Sequence, residues 1–176
     1  MDYRVVAPDP AWRGEADREA ARICAALDGI ALAIHHIGST SIPGISAKPV
    51  IDLCLEVSGL GDLDAQTASL EGLGYEALGE YGIARRRFFL RDDASGVRTH
   101  HVHAFATGDP EIARHLAFRD YLRAHPVVAE AYGRLKEELA SRHPGDLEAY
   151  MEGKDPFIKE HEARALEWSA ERPGAE

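Results

Sequence analysis

One stretch of the chain, His35 to Val57 (HHIGSTSIPGISAKPVIDLCLEV), limits the folds open to it more than any other. An apolar run from Ile30 to Ile37, carrying two histidines, stops at Gly38-Ser39. Small and turn-forming residues follow from Thr40 to Ala47, and Lys48-Pro49 opens a second strand that carries Asp52 and Glu56. Side chains alternate faces along a strand, so Asp52, Cys54 and Glu56 point one way and Ile51, Leu53, Leu55 and Val57 the other. The second set is wholly apolar and belongs in a core. The first is short and acidic, and it lies just after a Gly/Ser loop able to offer backbone N–H groups to an anion. A strand bearing carboxylates beside an anion-binding loop is the arrangement a metal–nucleotide site needs.

Around this stretch the hydrophobic periods give a coarse map. Tyr3 to Ala7 leans apolar and reads as an edge strand. Asp9-Pro10 starts a helix, with Asp as cap and Pro in the first turn. Trp12, Ala16, Ala20, Ile23 and Leu27 continue it at helical spacing as far as Asp28-Gly29. Asp62 caps a helix over about 63–73, which Gly74 closes. Strands are predicted at 75–78, 84–91 and 97–105, the last two joined through Asp92-Asp93-Ala94-Ser95-Gly96. Alternation puts Arg85 and Arg87 on one face of the earlier strand and Arg86 on the other. On the later one, Val97, Thr99, His101, His103 and Phe105 share a face opposite Arg98, His100, Val102 and Ala104. From Gly108-Asp109-Pro110 the period becomes helical. Helices are expected over 110–124, over 126–142 (opening at Pro126 after a His125 cap), and over 146–170 with a break near Gly153 or Pro156.

That order predicts an α+β fold: a mixed sheet with flanking helices and a C-terminal helical segment. The α/β core spans 1–107. The helices of 108–170 pack on it as part of one compact unit, because about 65 helical residues alone make a marginal core. Residues 171–176 read as a disordered tail.

With 176 residues, 45% of them hydrophobic, the chain can bury the core of one soluble domain. A formal charge of −10, from 30 acids against 20 bases, argues against nucleic acid and against anionic membrane as partners. No apolar run approaches the roughly 20 residues of a membrane helix, and the start, MDYRVVAPDPAW, lacks a signal peptide's apolar stretch. Cys24 and Cys54 fall in a helix and a strand and are not expected to pair, which fits a reducing cytoplasm.

The candidate functional residues follow from chemistry. Gly38, Ser39, Thr40 and Ser41 form the phosphate cradle, though turns are rich in small residues for ordinary reasons too. The Gly-Lys-Ser/Thr ending of a Walker loop is missing. Asp52 and Glu56 are the carboxylate candidates for a hard divalent cation, Mg²⁺ or Mn²⁺. Asp is disfavoured in strands, so Asp52 calls for an explanation that solvent exposure alone does not give. Glu56 stands about 13 Å farther along by strand rise, too far to share one ion directly. His101 and His103 share a face and can serve as metal ligands or as general acid and base. An Asp–His–His set suits Zn²⁺, Mn²⁺ or another transition metal better than Mg²⁺. The plainer reading is two histidines hydrogen-bonded in a half-buried sheet. His36 precedes the loop and orients it, while His35 and His100 face elsewhere. Lys48 is placed to reach a phosphate near the loop.

The Gly38-Ser39 and Asp52 pattern resembles the nucleotidyltransferase superfamily, marked by Gly-Ser at a strand end and Asp-x-Asp/Glu on the next strand. A closer resemblance is to the GrpB family, a nucleotidyltransferase-like group sometimes described as a dephospho-CoA kinase or protein-folding accessory domain. It is carried by HIGSTSIPG (36–44), AKPVID (47–52), HVH (101–103), FRDYLRAHP (118–126) and Y-x-x-LK (132–136). The resemblance implies that the strand of His101 and His103 neighbours that of Asp52, making these three the catalytic and metal-binding group. It also implies a helical lid in which Arg119, Lys136 and Lys154, with Tyr132 and Tyr150, meet the ligand beside Lys48. Cys54 stands where polymerising relatives carry the second acid, and histidine stands where many carry the third. The expected ligand is a nucleotide or other phosphorylated small molecule held with a divalent metal, and the expected reaction is nucleotidyl transfer. The alternatives are an inactive ligand- or partner-binding module of the same fold, or a His/Asp metal-dependent hydrolase. Kinase activity is not expected without a Walker loop. Oligomeric state is not legible.

Overall fold

The computed structural model describes residues 3–172. Helix α1 (Ala11–Ala26) leads into strand β1 (Ala31–Ile37), a 3-10 turn at Ser39–Ser41, a loop, and β2 (Ile51–Val57). Two short helices follow, α2 (Leu60–Ala65) and α3 (Thr67–Glu71), then β3 (Glu76–Ala77), β4 (Arg87–Asp92) and β5 (Arg98–Ala106). Helices α4 (Pro110–Ala124), α5 (Pro126–Arg142) and α6 (Leu147–Ala170) come last. The five strands form one mixed sheet in the order β1-β2-β5-β4-β3. Strands β2 and β5 are parallel, and the other pairs are antiparallel. The α+β architecture is the expected one.

The apolar side of β2 makes the main core. Ile51, Leu53, Leu55 and Val57 pack with Trp12, Ala16, Ile23 and Leu27, and with Leu63 and Leu70 from the two short helices. Glu19 of α1 is 4% exposed there. Its carboxylate accepts hydrogen bonds from Tyr75 (2.8 Å) and Arg91 (2.6 Å), the partners a buried acid needs. On the other side of the sheet, α4 covers Cys54, which packs with Ile37, Phe105 and Ile112. A further cluster joins Ile42 and Ile45 of the loop to Leu122 of α4, Ala129 and Tyr132 of α5, and Ala165 of α6. The helical layer therefore clamps the loop between β1 and β2. The strip of sheet carrying Asp52 lies between these two packings.

Several local expectations are corrected. The helix expected over 63–73 is two helices, broken at Gln66, whose backbone (φ −107°, ψ 13°) is non-helical. Tyr3 to Ala7 contributes only an isolated bridge, Val6 to Ala47. The strand expected from residue 84 begins at Arg87, because Ile83 to Arg86 turn, with Arg85 at φ 62°. Arg85 thus shares no strand face with Arg87. It pairs with Asp109, while Arg87 pairs with Asp64. His125 makes no side-chain cap to α5, and its Nδ1 lies 2.7 Å from the Tyr121 carbonyl instead. Helix α6 runs unbroken through Gly153 and Pro156. The proline withholds one hydrogen bond, but packing on α4 and α5 holds the helix. Gly153 is there for close approach, since a Cβ would collide with Leu139. Cys24 and Cys54 are free, as expected. Of the tail expected over 171–176, residues 173–176 lie outside the described residues. Among those described, no helix is long and apolar enough to cross a membrane.

Candidate functional site

Parallel pairing of β2 with β5 sets Asp52 opposite His101 and Cys54 opposite His103. The strand faces then bring both imidazoles to one carboxylate. His101 Nδ1 lies 2.9 Å from Asp52 Oδ1, and His103 Nε2 lies 3.5 Å from the same oxygen. Asp52, His101 and His103 each offer a ligand atom within 4.8 Å of the others. Burial alone would raise the Asp52 carboxyl, but the hydrogen bonds from the two histidines outweigh it and hold it well below the usual carboxylate range.

The outer nitrogens of both rings face arginines. Arg98 Nη1 is 3.3 Å from His101 Nε2, and Arg86 Nη1 is 3.3 Å from His103 Nδ1. A guanidinium only donates, so both outer nitrogens accept, and the ring protons sit on the inner nitrogens, directed at Asp52. Phe88, opposite His103 on β4, packs against both rings at 5.3 and 5.1 Å between centroids. His115 of α4 stands beside His103 at 5.4 Å. Burial, then the neighbouring His103 and Arg114, push its pKa down to about 3.

The Gly38 turn meets Asp52 directly. Gly38 has φ +70°, and a Cβ there would stand 2.6 Å from Asp52 Oδ2. Ser41 Oγ donates to the Gly38 carbonyl (2.6 Å) and Thr40 Oγ1 to the Val50 carbonyl (3.3 Å), so both hydroxyls are spent inside the loop. His36 Nε2, 2.9 Å from Thr40 Oγ1, ties the loop to β1 in the orienting role expected of it. Burial foremost pushes its pKa down to about 4, so the ring is neutral near pH 7. Gly38→Ala is expected to cost roughly 1–3 kcal/mol through strain at positive φ and the clash with Asp52. Thermal denaturation of the variant against the unaltered chain measures the loss.

Asp52, His101, His103, Arg86, Phe88 and His115 line a cleft of about 530 Å³ between the sheet and helices α4, α5 and α6. Gly38, Ser39 and Thr40 form part of its wall, but Ser41 does not. Lys48 and Lys154 hold their ammonium groups 5.8 and 4.7 Å from the Tyr150 ring centre. Burial, then Lys48, push the Lys154 pKa down to about 8, against a smaller upward pull from Asp52. Arg119 also lines the cleft and donates to the His36 carbonyl at 3.3 Å.

Besides Ser41, two expected site residues stand elsewhere. Lys136 is not on the cleft wall: it is 1% exposed, with its ammonium 4.4 Å from the centre of Tyr132, whose ring does line the cleft. Glu56 lies apart from the Asp52 cluster, and its carboxylate accepts a hydrogen bond from Thr107 at 2.5 Å. Arg86, Phe88, Arg114 and His115 line the cleft and were not anticipated. Phe88 had a signal, since it alternates with Phe89 on a strand next to the histidines. Arg86 had none, because its position depends on the turn at Arg85.

The GrpB protein family model matches residues 2–164. The chain belongs to the GrpB family. The UPF0157 protein YqkA of Bacillus subtilis is 44% identical over 164 residues, which cover 93% of this chain and 47% of YqkA. The chain thus spans about half the length of that relative. The crystal structure of conserved protein GrpB from Enterococcus faecalis superposes with a TM-score of 0.90 at 41% identity, covering 94% of this chain and 99% of that one. The structure of Cid1 in complex with its short product ApU gives a TM-score of 0.50 at 15% identity over 85% of this chain and 48% of Cid1, a likeness of fold alone. The GrpB chain therefore has a nucleotidyltransferase-like fold. Cys54, two residues past Asp52, is 0% exposed. Burial, then Glu56, push its thiol up to about 12, so in this GrpB protein it offers no thiolate at neutral pH.

Proposed function

We propose that the cleft binds a nucleotide or related phosphorylated small molecule together with a divalent metal, in the manner of a nucleotidyltransferase. The observation that carries this reading is the meeting of a carboxylate–imidazole cluster and cations in one cavity. Asp52, His101 and His103 converge there, and Lys48 and Lys154 stand in the same wall as cations for phosphate. One carboxylate and two imidazoles form a donor set that fits Mn²⁺ or Zn²⁺ better than Mg²⁺. When bound, such an ion neutralises charge on phosphate and polarises the bond to be broken. For His101 and His103 to ligate through the inner nitrogens, each ring must carry its proton on the outer nitrogen, and Arg98 and Arg86 must turn aside. The Gly38-Ser39 turn supplies backbone N–H groups to the ligand. Lys154 supplies charge-assisted hydrogen bonds, and Tyr150 an aromatic face.

A second reading is supported by Cys54. With α4 sealing that position, Asp52 is the one carboxylate grouped with the two histidines among the described residues, while Glu162, the other acid on the cleft wall, is paired with Arg114, which favours binding without turnover. Calorimetric titration of nucleoside triphosphates and pyrophosphate, with Mn²⁺, Mg²⁺ or chelator, separates the cases. Metal-dependent binding is expected, with Mn²⁺ ahead of Mg²⁺. Absence of binding by every phosphate ligand defeats both readings. Repeated release of pyrophosphate from a triphosphate defeats the second.

A further inference from the structure

A second cavity, also of about 530 Å³, borders the cleft. It shares Lys48, Val50 and His101 with the cleft, but it is otherwise built from different elements: the N-terminal segment, the hairpin before β5 and the start of α6. Its size falls within the range of small-molecule pockets. Arg4, Lys48 and Arg98 stand in its wall, and among the described residues no carboxylate does. In a chain of formal charge −10, three cations in one wall are a local excess of positive charge, offset in part at Arg98. Asp92 pairs with Arg98 from outside the wall and fixes the guanidinium. Tyr3, Val97 and Leu147 supply apolar and aromatic surface. The wall is held in place: Tyr3 donates to the His143 carbonyl at 2.8 Å, and its ring packs 4.7 Å from that of Tyr150 in the cleft.

We propose that this cavity is a separate binding site for a small organic anion, a carboxylate or phosphate monoester with an apolar body. The anionic group meets Arg4 and Arg98, with Lys48 between the two cavities, and the body lies against Tyr3, Val97 and Leu147. Cations without a carboxylate select the charge, and the apolar wall selects against bare inorganic ions. The site goes beyond the proposed cleft function and does not rest on it, because the anion is held without a metal or nucleotide next door.

The test is a titration of the labelled full chain with phenyl phosphate and, separately, benzoate, followed by NMR. Saturable shifts are expected at the Gly96 and Val97 amides and the Leu147 methyls with at least one of the probes. Which probe binds more tightly distinguishes the phosphate from the carboxylate source. Arg98→Met should weaken binding at least tenfold by removing a charge-assisted bond. Val97→Glu should do the same by placing a carboxylate in the wall. Val97 is 54% exposed, so that variant tests the site without threatening the fold. The proposal is overturned if neither probe moves these resonances up to about 10 mM, a ceiling for weak fragment binding. It is equally overturned if the shifts fall only at Gly38 and Ser39, or if both variants bind as tightly as the unaltered chain. The Gly38 and Ser39 amides report the cleft independently, so failure of one site is told apart from failure of the other.

Discussion

Asp52→Asn is expected to keep the fold and to weaken divalent-metal binding by roughly a hundredfold or more, since loss of a residue supporting a metal ligand already costs 10–100-fold. Asparagine retains the shape and one acceptor oxygen, so His101 Nδ1 and His103 Nε2 still find a partner where Asp52 Oδ1 stood. The negative charge is lost, and with it the reason for a cation to bind. Asp52→Ala is a harsher change, because it leaves two ring N–H groups without an acceptor. Titration of Mn²⁺ by paramagnetic resonance, with and without a nucleoside triphosphate, measures the effect. Metal and nucleotide affinity unchanged in the asparagine variant would sink the proposed site.

A pH signature accompanies that change. The folded Asp52 carboxyl is held below its ordinary value by the two imidazoles. Such a group contributes stability above the unfolded carboxylate pKa, and that contribution is lost as pH falls toward the folded value. The unaltered chain should therefore lose stability more steeply than Asp52→Asn as pH is lowered through and below about 4, the unfolded aspartate range. Thermal denaturation across that window compares the two slopes.

The parts of the fold readable in advance are those that rest on short-range periods. Alternation on β2 separates the core residues from Asp52, Cys54 and Glu56, and Pro110 and Pro126 mark helix starts at the observed positions. The resemblance, not periodicity, brought His101 beside Asp52, because strand order is a long-range property. What stayed hidden depends on tertiary approach. Glu56 shares a face with Asp52, yet it lies beyond Cys54, where α4 seals the sheet. Arg98 and Arg86 decide which imidazole nitrogens carry protons, but one precedes the histidines by a few residues and the other sits in a turn with Arg85 at φ 62°. Lys136 belongs to a matching motif, yet its side chain lies along α5 against Tyr132, four residues earlier on the same helix, and stays off the cleft wall.

That hidden position of Lys136 leads to the other large effect. Lys136→Met should stabilise the protein by roughly 1–4 kcal/mol at pH 6, the scale seen when buried ion pairs give way to apolar residues of similar volume. At about 2–4 °C per kcal/mol for a chain of this size, that is a rise in Tm of several degrees. The Lys136 Nζ has no hydrogen-bond partner among the described residues. Burial, then Lys154, push its pKa down to about 7 from 10.5, with only Glu137 pulling the other way. The sign follows from proton counting. Between about 7 and 10.5 the unfolded chain holds a proton on this lysine that the folded chain has released, so stability of the unaltered protein rises with pH across that window. Methionine has no proton to release, so its advantage is largest below pH 7 and shrinks as pH climbs through the window. It also matches lysine in length and sets a thioether against the Tyr132 ring. Denaturant titrations at pH 6, 8 and 9.5 measure the closing gap. Nucleotide affinity adds a control: Lys154→Met, on the cleft wall, should lose roughly tenfold or more, and Lys136→Met far less. A methionine variant less stable at pH 6, or a gap that does not narrow with pH, would show that Lys136 is held charged by a partner.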